Sequence, residues 1–206
     1  MHSFNNKTGI KYADGVMLAA DTLASYGSLA RYKDIRRVAK MGEHTLIGAS
    51  GEMSDFQSVM QMLEGMHQDD LNEEDGYTRK PSEVFNYLRA VMYQRRNKGN
   101  PLWNQLVVAG FTDKPFLGYV DLIGTAFEEN HVATGFGAYL ATPIIRERWS
   151  ADMDEAEART LLEDCMRVLF YRDCRASARI VIAKSTAEGT RVRDPYIGPT
   201  DCETAH

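Results

Sequence analysis

Residues 9–55 impose the strongest constraint on what this chain can fold into. Ile10 and Tyr12 alternate with polar neighbours, Ala13-Asp14-Gly15 supplies turn residues, and the apolar run 16–20 stops at Asp21. That pattern predicts a β-hairpin ending in a carboxylate. A second hairpin is expected from 38–41 and 45–49 across a Gly42-Glu43 turn, and it runs through Ser50 and Gly51 into a helical segment. Two hairpins therefore feed one helix.

Beyond Gly51, Met53, Phe56, Met60 and Leu63 recur at helical spacing, and Val59 and Met66 widen the stripe. A methionine-rich face can serve as an adaptable groove; core packing against a sheet accounts for the same spacing. Residues 68–79 are polar, acidic and include Gly76, so a surface loop is expected there. A second helix is expected from Pro81, a residue suited to a first helical turn, with Val84, Leu88 and Val91 as its stripe and Arg95-Arg96 at its negative end. Strands at 106–111 and 116–123 flank turn residues 112–115, and their unbroken apolar character fits strands covered on both faces. Gly135-Phe136-Gly137 opens a third helix over 138–148. Asp152 with Glu155 predicts a capping box for a fourth, whose stripe is Ala158, Leu161, Leu162, Cys165, Val168 and Leu169. A last hairpin joins 178–184 to 190–193 through Glu188-Gly189. Strand pairs clustered between helix pairs argue for an α+β layered domain rather than an alternating parallel fold.

Composition narrows the function. With 206 residues, 44% hydrophobic and 26% charged, and no internal shift in composition, one domain over residues 1–193 is expected, followed by an extended C-terminal arm over 194–206. A formal charge of −5 and no basic run longer than Arg95-Arg96 argue against a nucleic-acid partner. No apolar stretch approaches the roughly 20 residues of a membrane span. Residues 1–7 are polar, so no secretory signal is expected ahead of the first strand. Cys165, Cys174 and Cys202 form no C-x-x-C pair, which fits a reducing compartment. The five histidines show no metal-ligand spacing and no phosphate-binding or dinucleotide pattern occurs, so no cofactor and no metal is expected.

Residues 15–21 (GVMLAAD), 25–31 (SYGSLAR) and 48–51 (GASG) with Asp55 together resemble the opening half of proteasome β-type subunits. Residues 95–104 (RRNKGNPLWN), 133–141 (ATGFGAYLA) and 165–173 (CMRVLFYRD) are similar to the class at the seventh β position of the ring. The resemblance spans nearly the whole chain. It implies a four-layer αββα sandwich of the N-terminal-nucleophile hydrolase type and a role in protein degradation. The implied partners are α-type and β-type subunits in stacked seven-membered rings of the 20S core particle. The implied location is cytoplasm and nucleus, and the C-terminal arm is expected to reach the opposite β ring.

In active members of that family a chain-terminal threonine is the nucleophile, activated by its own amino group. It precedes the hairpin aspartate by sixteen residues, and a lysine follows that aspartate by sixteen; here those positions hold Asn5 and Arg37, counted from Asp21. An amide has no hydroxyl or thiol with which to attack a carbonyl, and a guanidinium stays protonated where the lysine is tunable. The family's serine within a Gly-Ser-Gly turn is Phe136, and the serine three residues beyond the helix-end aspartate Asp173 is Ala176. Only Asp21 and Asp173 are retained, which implies a non-catalytic subunit. Asp21 is expected to be held by Arg31, Lys33, Arg36 or Arg37. Asp173 is expected to pair with Arg172 or Arg175, or with backbone donors at its helix end.

Other nucleophiles would restore an active amidase. Thr8 lies three residues too close to Asp21, and neither Thr8 nor Ser3 follows a glycine cleavage mark. Residues 48–52 (GASGE) share part of the G-x-S-x-G nucleophile elbow but end in Glu52. The turn at Gly51 could bind an anion at a helix N-terminus, whereas a backbone that demands glycine explains the same residues.

Overall fold

A computed structural model describes residues 2–4 and 6–200. Alternation along the central strands sets the layers. All seven residues of β3 (Gly15–Asp21) are buried, and successive side chains enter different cores: Met17 and Ala19 join one cluster, Val16, Leu18 and Ala20 another. In β8 (Asn104–Phe111) Leu106 and Val108 face a third cluster, and Val107 and Ala109 face the same one as Val16. A strand buried on both faces must lie between two layers, because its side chains alternate sides.

In chain order the remaining strands are β1 (His2–Phe4), β2 (Lys7–Tyr12), β4 (Ala24–Tyr26), β5 (Leu29–Tyr32), β6 (Val38–Met41), β7 (Thr45–Glu52), β9 (Pro115–Val120), β10 (Ala126–Glu128), β11 (His131–Thr134), β12 (Arg179–Thr186), β13 (Gly189–Val192) and β14 (Tyr196–Ile197). The helices are α1 (Met53–Glu73), α2 (Pro81–Asn97), α3 (Gly137–Arg148) and α4 (Glu155–Arg172). An eight-stranded antiparallel sheet runs β10-β9-β8-β7-β1-β4-β5 with β6 also on β7, and a six-stranded one runs β11-β2-β3-β12-β13 with β14 also on β12. Residues of α1 and α2 cover the first sheet and those of α3 and α4 the second, with the Val16 and Val107 cluster between the sheets. The architecture is the expected αββα sandwich. Among the described residues no helix is long and apolar enough to cross a membrane.

Several boundaries differ from the sequence reading, each for a local reason. Helix α1 continues to Glu73 through the supposed loop, because residues 68–73 are polar yet helix-permissive and Gly76, at φ +72°, comes only after the helix has ended. Its buried face is Phe56, Val59 and Leu63, with Met53, Met60 and Met66 only partly buried around it. In α2, Met92 rather than Val91 is fully buried. In α4, Met166 takes the place expected for Val168. The cap of α4 is Asp154, two residues beyond Asp152: Asp154 Oδ1 accepts from Glu157 N at 2.8 Å and Glu157 Oε2 accepts from Asp154 N at 3.0 Å. That start lets buried Met153, just ahead of the cap, join the same cluster as Ala158 in the following turn. The short strands β1, β4, β5, β10, β11 and β14 carry too little apolar alternation to stand out. Strand β14 pairs with β12, and Gly198 N donates to Ala178 O at 2.8 Å, so the first part of the segment 194–206 lies on the sheet. Residues 201–206 lie outside the described residues.

Replacing Asp154 with Ala is expected to lower unfolding free energy by about 1 kcal/mol, whereas Asp152→Ala stays within roughly 0.5 kcal/mol. Urea unfolding of the two variants checks which carboxylate caps the helix.

Candidate functional site

Asp21 closes β3 on the strand's last buried position. Arg37, immediately ahead of β6, reaches it from the other sheet: its guanidinium forms an ion pair with the Asp21 carboxylate, and Nε donates to the Asp21 backbone oxygen at 2.7 Å. Both side chains are at most 1% exposed. Of the four basic residues expected around Asp21, Arg37 is the one paired with it. Arg36 is at the surface on Asp194, and Arg31 packs on Tyr32.

A second buried cation, missed from the sequence, stands beside this pair. Lys7 opens β2 and pairs in register with Ala20 and Thr134, while its Nζ donates to the backbone oxygen of Ala49 in β7. The amide of the same residue, Ala49 N, donates to Arg37 O at 3.0 Å. The two cationic residues thus grip one residue of β7 through its amide and its carbonyl. The lysine stem passes Gly48, where an added Cβ would lie 3.1 Å from Lys7 Cδ. The amine also stands 5.9 Å from the Phe56 ring centroid. The signal in the sequence was indirect: on β2 the alternation that puts Thr8, Ile10 and Tyr12 on one face puts Lys7 and Gly9 on the other, against Leu18 and Leu117 of the inter-sheet core.

Burial governs the electrostatics. It holds the Lys7 amine well below its ordinary value of 10.5, and the neighbouring Arg37 charge pushes the same way. Burial also brings Arg37 down to about 9, with the Asp173 charge opposing. A guanidinium at that value is still charged at neutral pH, as the buried Asp21 carboxylate requires.

Asp173 caps the C-terminal end of α4. One oxygen accepts from Asn6 Nδ2 at 2.5 Å and the other from Arg175 N at 2.9 Å, while Ala176 N donates to its backbone oxygen at 3.0 Å. Neither the Arg172 nor the Arg175 side chain is what holds it; a backbone amide and the side chain of Asn6 are. Phe136 is 51% exposed at the start of α3. The flanking Gly135 has φ +61°, and an added Cβ at Gly137 would lie 3.2 Å from Lys7 O, so the turn abuts the start of β2 but carries a phenyl ring at its centre. Asn5 lies outside the described residues.

The alternative nucleophiles are engaged elsewhere. Ser50 is an ordinary β7 residue, since the strand runs on to Glu52 before α1 begins, and its Oγ is 2.7 Å from Thr134 Oγ1. Thr8 Oγ1 lies 3.9 Å from Met166 Sδ. Gly51 has φ +111° and an added Cβ there would be 2.0 Å from Trp103 O, so backbone geometry alone demands glycine. The adjacent cleft, lined by Ser50, Gly51, Trp103, Asn104, Gln105, Leu122 and Gly135, holds about 190 Å³, below the few hundred Å³ usual for a ligand pocket. No group of three or more His, Cys, Asp or Glu among the described residues could hold a metal ion. The Cys165 thiol is pushed up to about 12 by burial and is inert as a nucleophile.

Comparison with known proteins gives a family match. The family described as "Proteasome subunit" matches residues 7–184. The chain is 52% identical to proteasome subunit beta type-4 of Arabidopsis thaliana over 188 residues, covering 91% of this chain and 76% of that one. It is 45% identical to proteasome subunit beta type-4 of Xenopus laevis over 201 residues, 96% and 83% of the two chains. It is also 40% identical to proteasome subunit beta type-7 of Saccharomyces cerevisiae over 190 residues, 84% and 70% of the two.

Arg37→Met, which strands the Asp21 carboxylate, is expected to cost about 3–5 kcal/mol, and adding Asp21→Leu should recover much of that. A double-mutant cycle in urea measures both. For Lys7 the sign follows from its depressed folded value. Below 10.5 the unfolded chain takes up a proton that the folded amine resists, so this residue's contribution to stability rises as pH rises toward 10.5. The stability of wild type relative to Lys7→Met, read by urea unfolding, should therefore rise as pH approaches 10.5 from below and level off beyond it.

Proposed function

We propose, from the premise that the chain belongs to the proteasome subunit family, that it is a β-type member that builds the ring and walls of the 20S core particle without itself cutting peptide. The observation that carries this reading is Arg37. The position where active members keep a tunable lysine holds a guanidinium locked on Asp21 by a buried ion pair and a backbone hydrogen bond. Asp173 is likewise committed to Asn6 and to the turn that follows α4. Asn5 stands where the nucleophilic threonine would, and Phe136 and Ala176 stand where hydroxyls would. Arg37, Asp21 and Asp173 are held as braces, and Asn5, Phe136 and Ala176 bring no hydroxyl to their positions.

The partners in this reading are α-type and β-type subunits in stacked seven-membered rings, in the cytoplasm and nucleus, and the product of the assembly is protein degradation. The C-terminal arm reaches the opposite β ring. Its supporting observation is β14, which pairs with β12 and carries the start of the 194–206 segment along the sheet, with Gly198 N donating to Ala178 O.

Native mass measurement should place the chain in a particle far larger than 23.2 kDa; a free monomer would overturn the ring reading. A threonine-directed electrophile should leave its hydroxyls unlabelled, and an adduct on a threonine or serine would establish an active amidase instead. Truncation from Thr200 is expected to lower the yield of assembled particle, and unchanged assembly rejects the role of the arm.

A further inference from the structure

The last described residues run back along β12 toward the end of α4. Strand β14 pairs Tyr196 with Ile180 and Ile197 with Arg179, and Gly198 N donates to Ala178 O at 2.8 Å, so the antiparallel register holds one residue past the strand. Helix α4 grips the same segment: Tyr196 Oη donates to Glu163 Oε1 at 2.5 Å, Arg159 Nε donates to that oxygen at 2.8 Å, and the Arg159 guanidinium stands 5.3 Å from the Tyr196 ring. Phe170, Ser177, Ala178, Pro199 and Thr200 then line one narrow cavity, which keeps the chain against the turn that follows α4. Cys174 is exposed in that turn.

We infer that Cys174 and Cys202 are a disulfide site, a thiol pair that glutathione disulfide closes and that then ties the start of the C-terminal segment to its own domain. Cys202 lies outside the described residues, and the register aims it at Cys174: five residues back from Arg179 is Cys174, and five residues on from its partner Ile197 is Cys202. Opposite residues of an antiparallel pair stand about 4.5–5.5 Å apart at Cα, inside the span of about 4.4–6.8 Å that disulfides bridge. Cys174 sits in a turn rather than a strand, and reach makes up the difference. Cys202 is two residues past Thr200, about 7 Å of extended chain, and Cys174 is three residues before Ser177. Cys165 is buried in the core under α4 and takes no part. To close the bond, the Cys174 thiolate attacks glutathione disulfide and releases one glutathione, and the Cys202 thiolate attacks the Cys174 sulfur of the mixed disulfide and releases the second. The two protein sulfurs are oxidised, the glutathione disulfide is reduced, and each departing glutathione thiolate takes up one of the two protons. In a reducing compartment the pair stands open, and a rise in oxidised glutathione closes it. Register and chain length alone carry the pairing, which makes no use of the ring assignment.

Equilibrating the full chain in glutathione buffers, quenching with iodoacetamide and mapping by mass spectrometry reads the pair directly. A fragment joining Cys174 to Cys202 should appear, with an equilibrium constant about tenfold or more higher in the folded chain than in urea, where chain length alone sets the proximity. Hydrogen exchange at Ile197 and Gly198 should be about tenfold slower in the oxidised chain, with α1 and α2 unchanged. Cys174→Ser, at an exposed position, should fold as wild type does, form no internal bond and carry glutathione on Cys202. A bond to Cys165 or to a second chain in place of this one, an internal bond in the variant, equal constants in folded and unfolded chain, or equal exchange in the two redox forms overturns the inference and leaves the ring reading untouched.

Discussion

The ion pair between Arg37 and Asp21 is the contact on which the centre of the sandwich depends. Each partner is fully buried, so neither can be removed without leaving the other as an isolated charge in a low-dielectric interior. The pair joins the end of β3 in one sheet to the residue ahead of β6 in the other, and the Arg37 carbonyl carries the connection to Ala49 of β7. Lys7 reaches the same residue from β2. Two sheets that would otherwise meet only through apolar side chains are fixed in register by groups with strict directional demands. That fixity brings the start of β2, the Gly135 turn and the end of α4 into one neighbourhood.

Viewed chemically, this neighbourhood contrasts two uses of the same framework. An acyl-transfer site needs a hydroxyl or thiol, a base whose proton comes and goes, and donors aimed at a developing oxyanion. Here the Asp173 carboxylate accepts hydrogen bonds from Asn6 and Arg175 N, and the Asp21 carboxylate is ion-paired with Arg37. The hydroxyls of Ser50 and Thr134 face each other. Groups held this way are committed to fixed partners, which suits a brace and not a reaction.

Much of this was legible in the sequence because hydrophobic period and turn chemistry act locally. The β2–β3 and β6–β7 hairpins, the start of α2 at Pro81 and the two-sided burial of β8 follow from residues within a dozen positions of each other. The site was legible through the spacing of Asn5, Asp21 and Arg37 once the family pattern was in view. What was not legible depends on distant partners. Lys7 is an ordinary strand lysine until the carbonyl of Ala49, far along the chain, is brought over it. The cap of α4 falls at Asp154 rather than at the expected Asp152, with buried Met153 just ahead of it. Strand β1 gives no local signal at all, since its pairing is decided by the gap between β4 and β7.

Gly48 has a consequence for how the chain can drift. The space its missing side chain leaves is filled by the methylenes of Lys7, 3.1 Å from where a Cβ would be. The two residues, more than forty positions apart, therefore share a single volume across the sheet interface. A methyl group gained at position 48 would have to push the lysine stem aside by a few tenths of an ångström, so the room available to either residue is set by the other.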